Sequence, residues 1–184
     1  FPVDLPVEFL LLLPVFCLFM PVELAVLATA VVHLLNNALK FFLIRKMIDQ
    51  SVLFSFGISA ACAAFVGALL QDYLGSGGIV YQLSGFEYLS GVKPLSFVIG
   101  LLMIGFAILD LVPWGKNISF HKGQFFTGGL LSGFFGGLSG HQGALRAAFL
   151  SKSNLSRDVF ISTSVCLSLL IDIVRIPVYL NSND

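Results

Sequence analysis

The chain has 184 residues with ten basic and ten acidic side chains, and hydrophobic residues make up 57% of it against 11% charged. A soluble domain carries about 25% charged residues, so a mean hydropathy of +0.96 excludes an ordinary soluble fold. Zero net charge argues against nucleic acid as a partner.

Several stretches reach the ~20 apolar residues that a helix needs to cross hydrocarbon. The expected fold class is all-α, a polytopic helical membrane protein embedded in a lipid bilayer. Residues Phe9 to Met20, interrupted by Pro14, are too short to span and read as a half-helix. The first full span is expected from Val22 to Ile44, ending in Arg45 and Lys46, and the second from Ser51 to Leu70, rich in Ala and Gly. A loop with Gly and Tyr follows, its aromatics suited to a membrane interface. A third span covers Leu95 to Val112, before Pro113-Trp114-Gly115 and the basic stretch Lys116 to Lys122. Gln124 to Leu150 is apolar but interrupted by seven glycines, and a last span runs from Val159 to Tyr179.

AVLATAVV (Ala25 to Val32) lies over VFISTSVC (Val159 to Cys166) at an offset of 134, with Thr29 on Thr163. Two related repeats are a common way to build transporters. The expected division is residues 1–112 and 113–184. Basic residues in short loops mark the inner side. Arg45 and Lys46, then Lys116, His121 and Lys122, then Arg146 to Arg157 are expected inside, with Lys93 outside. That pattern requires Gln124 to Leu150 to enter the membrane and return, which inverts the second repeat.

Cys17, Cys62 and Cys166 lie in apolar runs without CxxC spacing or His and Asp partners at metal-ligand spacing, so no metal, cofactor or redox role is expected. The start of the chain has no basic region of a secretory signal.

Ionisable groups inside membrane segments are costly and mark candidate sites. On the first span, His33 and Asn37 share a face, as do Asn36 and Lys40. This stripe either packs against other helices or contacts substrate. Asp172 and Arg175, three apart, are expected to neutralise each other, and Asp110 to be interfacial. The strongest candidate is GGLLSGFFGGLSGHQGALRAAFL. Gly133, Gly136, Gly137 and Gly143 are expected to let the backbone leave the helix, which is tolerated where it lines a cavity. A helix restarting near Ser139 or Gly140 aims free N–H groups at the break and so attracts an anion. Ser139, His141, Gln142 and Arg146 add donors and a fixed charge. The plainer reading is that the glycines serve tight helix crossing. Gly137-Leu138-Ser139-Gly140 also matches the GxSG motif of rhomboid-like intramembrane proteases. The base such chemistry needs would come from His141, two residues away on another side of a helix, or from His33, in the wrong chain order. No enzymatic activity is therefore expected.

GGLLSGFFGGLSGHQGALRAAFL, NLSRDVFISTSV and IDIVRIPVY together resemble the second-half motif of the TauE/SafE sulfite exporter family, also called the toluene sulfonate uptake permease family. PVFCLFMPVELAVLATAVVHLLNNALKFFLIRK resembles its first-half counterpart. The resemblance implies a bacterial-type inner-membrane permease of two halves that moves sulfite, sulfonates or related organosulfur anions by alternating access. The path would be lined on one side by Ser139, Gly140, His141, Gln142 and Arg146, and on the other by Thr29, His33 and Asn37. A proton is a candidate coupling ion through His33 or His141. Members usually begin with a further glycine-rich segment and continue past the last span, so both ends are expected to be incomplete. A non-transporting membrane assembly protein is the alternative class.

Overall fold

The computed structural model describes residues 7–44, 47–79, 92–111, 124–150 and 155–182. These form seven helices: α1 (Val7–Cys17), α2 (Val22–Ile44), α3 (Gln50–Gly75), α4 (Pro94–Leu111), α5 (Phe125–Ser139), α6 (Gly143–Leu150) and α7 (Arg157–Ser182). Helices α2, α3 and α7 are each long and apolar enough to cross a membrane, whereas α4 has a shorter apolar stretch, Pro94–Ile108. The helical membrane class expected from composition is therefore observed. The half-helix is α1, whose 11 residues rise only about 16 Å. The boundary between the two expected repeats, the basic pair Arg45–Lys46 and the stretch Lys116 to Lys122 lie outside the described residues, as does the side chain of Asp110.

Local chemistry sets the helix ends. Asp49 caps α3, its carboxylate accepting from Val52 N–H at 3.0 Å, which satisfies a donor that has no partner within the helix. Pro94 opens α4, where its missing N–H costs nothing. Glu23 in the first turn of α2 and Asp158 in that of α7 complement the positive helix end.

The tightest contact is between α3 and α5. A Cβ on Gly133 would stand 2.6 Å from Ala60 Cα, and one on Gly137 2.8 Å from Ala64 Cα, while Gly129 faces Phe56 and Ser59. Positions 56, 60 and 64 thus meet 129, 133 and 137 in rising order, so the two helices run parallel. Without hydrophobic drive between helices in lipid, such close backbone approach supplies dispersion contacts instead. Helix α7 runs parallel to α3, with Thr163 Oγ1 accepting from Asp49 N–H at 3.0 Å and Leu167 and Leu170 against Gly57. It runs antiparallel to α2: Ser162 Oγ donates to Ile44 O at 2.8 Å at one end, and Ile176 and Tyr179 join Ala25 and Val26 at the other.

Helix α6 folds back along α5. Ser132 Oγ donates to Gln142 O at 3.0 Å, and the Phe149 ring fills the space beside Gly128. The segment Gln124 to Leu150 therefore turns back on itself, as the expected return requires. Two apolar clusters result. One joins Leu13, Ala25, Val26, Ala68, Leu95 and Tyr179; the other joins Val52, Phe56, Phe125, Phe149, Leu150 and Ile171. An exposed stripe on α4, Phe97, Leu101, Ile104 and Ile108, recurs at helical spacing and suits contact with lipid.

The α3–α5 contact is checked by substitution. Gly133→Val forces a side chain into the Ala60 backbone and is expected to lower stability by at least the 1–3 kcal/mol typical of overpacking, or about that and more. Gly105→Ala in α4, where no atom lies within 4 Å, is expected to be neutral or stabilising. Thermal unfolding of the two purified variants in detergent distinguishes them.

Candidate functional site: the broken helix α5–α6

Helix α5 ends at Ser139, and Gly140 follows with φ 82°. That left-handed conformation suits glycine and reverses the chain. Gly140 N–H donates back to Gly136 O at 3.0 Å, and Arg146 N–H donates to Gln142 O at 3.2 Å as α6 begins. The break therefore spans Gly140 to Gln142. This corrects the sequence expectation for Gly133, Gly136 and Gly137, which lie inside a continuous α5, and for Gly143, which is the first residue of α6. Gly133 and Gly137 are glycines because α3 presses on them, and Gly136 because Gln142 Cβ would stand 2.8 Å from a Cβ there.

Ending a helix away from water exposes carbonyls that need donors. Here α7 provides them. Arg175 Nη1 donates to Gly136 O at 2.7 Å, and Tyr179 Oη donates to Gly137 O. Arg175 Nε donates to Asp172 Oδ1 at 2.9 Å, and Nη2 lies 2.7 Å from the same oxygen. Both side chains of this pair are 0% exposed. Asp172 Oδ1 also accepts from Gln142 Nε2 at 3.3 Å, and the Asn37 side chain of α2 lies near the carboxylate, whose Oδ2 is buried with no hydrogen-bond partner among the described residues. One buried carboxylate thus links the break to α7, with α2 alongside, between the two apolar clusters.

The other expected residues divide. His33 lies within electrostatic reach of Arg146, Arg175 and His141, so the His33–Asn37 face of α2 is turned to the break. Thr29 is not brought there by any described contact: its hydroxyl donates to Ala25 O at 2.7 Å within its own helix. The His141 ring stacks on Phe106 of α4, with centroids 5.7 Å apart and planes at 14°. Ser139 and His141 are closer than a continuous helix allows, with His141 Nδ1 at 3.3 Å from Ser139 Oγ, because the chain reverses at Gly140. Ser139 is buried, and its hydroxyl donates to Phe135 O at 3.0 Å, one turn back along α5.

Arg146 on α6 is the charge left over. Its Nη1 is buried without a hydrogen-bond partner among the described residues, as is Gln142 Oε1. The first backbone N–H groups of α6 begin at the same place, so the break carries unsatisfied donors beside two buried acceptors, Gln142 Oε1 and Asp172 Oδ2.

A family model described as "Sulfite exporter TauE/SafE" matches residues 9–184. The chain belongs to this family. It is accordingly a membrane anion exporter or permease, and the matched TauE/SafE range includes the whole of the broken helix. No curated protein and no solved structure matches the chain.

In this family member the residues that sequence reasoning undervalued are Asp172, Arg175 and Tyr179. The pairing of the first two is as expected, but their attachment to the α5 carbonyl end is not visible from a three-residue spacing. Their shared face at i, i+3 and i+7 was the available signal. Arg175→Met strands the buried Asp172 and takes one of its two donors from Gly136 O, and should cost about 3–5 kcal/mol, while Arg175→Met with Asp172→Leu should recover a large part of it. Thermal unfolding of the single and double variants measures that coupling.

Proposed function

We propose that the break binds a small sulfur-containing oxyanion, sulfite or an organosulfonate, on its way across the membrane. The observation carrying this reading is the buried, unpartnered guanidinium nitrogen of Arg146 next to the N-terminus of α6. A free cation and a helix N-terminus together form an anion site, and burial makes an unpaired charge costly until an anion arrives. His141, Gln142, Ser139 and the backbone of Gly140 line one side; His33 and Asn37 of α2 line the other. Thr29 stays in the lining only as a position on the same helix.

Alternating access follows from two inverted repeats. Antiparallel α2 and α7 carry the AVLATAVV and VFISTSVC segments, and the short helices α1 and α6 precede them. That arrangement supports a division of the chain into residues 1–112 and 113–184. The helix ends beside the basic loops, Ile44, Phe125, Leu150 and Arg157, gather at one end of the bundle, which favours that end as the cytoplasmic side of a bacterial-type inner membrane. His33 and His141 are the candidates for proton coupling, being described imidazoles within electrostatic reach of Arg175.

The test is sulfite and sulfonate flux into proteoliposomes. Arg146→Ala is expected to lose flux by about 100-fold or more, as removal of a buried charged partner costs 2–5 kcal/mol, while remaining folded in the membrane. Undiminished flux in that variant removes Arg146 from the site. Labelling of Ser139 by a serine-directed probe would instead favour protease chemistry.

A further inference from the structure

Among the described residues, the charged side chains buried at the break are few enough to count. Arg175 and Asp172 are both 0% exposed, and Arg146 Nη1 is buried nearby, within electrostatic reach of Asp172. Among the described residues, two guanidiniums therefore face one carboxylate. The remaining described titratable groups packed around them are His33 and Lys40 of α2, His141 at the break and Tyr179 of α7. Lys40 is exposed and can be compensated by solvent, and the Tyr179 hydroxyl is committed to Gly137 O. The helix ends add no whole charge to this count: the carbonyl end of α5 is capped by Arg175 and Tyr179, and the amide end of α6 contributes only a partial positive charge.

We infer that Asp172 sets the valence of the transported anion: by neutralising one of the two guanidiniums it leaves a single positive charge, so the site takes a monoanion, a sulfonate head group or hydrogensulfite, in preference to a dianion. This rests on the proposed anion site. The physical reason is the cost of an unbalanced charge away from water. One negative charge balances the site, whereas two leave it as unbalanced as an empty one. Asp172 acts through the arginines rather than by touching substrate, and is a specificity-determining residue in that sense. Gln142 donates to Oδ1, the oxygen that Arg175 also engages, and so holds the carboxylate against that guanidinium.

The experiment compares methanesulfonate, a monoanion, with sulfate, a dianion of similar shape, in proteoliposomes of the wild-type chain and of Asp172→Asn. The asparagine keeps the shape and the hydrogen bonds but removes the negative charge. Wild type is expected to move methanesulfonate about tenfold faster or more, the equivalent of 1.4 kcal/mol, and Asp172→Asn is expected to shift that ratio towards sulfate by at least as much. A merely structural role for Asp172 would lower both fluxes together and leave the ratio fixed. The wild-type ratio is informative even if the variant does not fold, since equal or faster sulfate movement overturns the inference directly. A normally folded Asp172→Asn with an unchanged ratio overturns it as well, with the anion site itself still standing. Movement of neither anion by wild type overturns the site and the valence rule together.

Discussion

A helix that stops inside a membrane must find donors for its last carbonyls, and the whole of this architecture is arranged around that need. The carbonyls of Gly136 and Gly137 receive Arg175 and Tyr179. Burying Arg175 then requires a carboxylate, supplied one turn away by Asp172. Burying Asp172 in turn requires a further donor, and Gln142 supplies one to Oδ1. Each step answers the desolvation cost created by the one before it. The chain of requirements ends at Asp172 Oδ2 and Arg146 Nη1, a buried acceptor and a buried donor with no answering group among the described residues.

The glycines of α5 and the glycine of the break solve different problems. Gly129, Gly133 and Gly137 allow the backbone of α3 to approach, and their value is contact area along a rigid parallel pair. Gly140 supplies a conformation, the φ of 82° that turns the chain back toward Gly128. Packing and breakage were rival readings of one glycine-rich segment, and both hold at different positions within it. The rigid pair gives the break a fixed platform. The hairpin of α5 and α6 then has one firm side, against α3, and one polar side, against α2 and α7.

Much of this was legible in sequence, but unevenly. Composition and span length are bulk properties, so the membrane class, the α2, α3 and α7 spans and the half-helix α1 followed directly from them. The course of α5 and α6 was readable because glycines cluster there and because basic residues flank both ends. The position of the break was not, since a run of seven glycines does not say which one takes a positive φ and which face a neighbouring helix. Asp172 and Arg175 were recognised as a pair, but a pair at i and i+3 looks the same on any helix. What gives it a further role is the carbonyl of Gly136, 39 residues away, and non-local contacts of that kind leave no local trace. The same holds for His141 and Ser139: their separation by two residues was read on a continuous helix, and the reversal at Gly140 changes the geometry.

The polar ties and the apolar seams also differ in how readily they can be exchanged. The α3–α5 seam is backbone against backbone, with side-chain space already used up, and sliding it one turn would place bulky residues where only glycine fits. By contrast, α2 approaches the break through the polar side chains of Asn37 and His33. A polar tie to a charged group is worth roughly 1.5–3 kcal/mol, and it can be given up and remade without a backbone clash. One interface is therefore too close-packed to slide, and the other is set by side chains that can be exchanged.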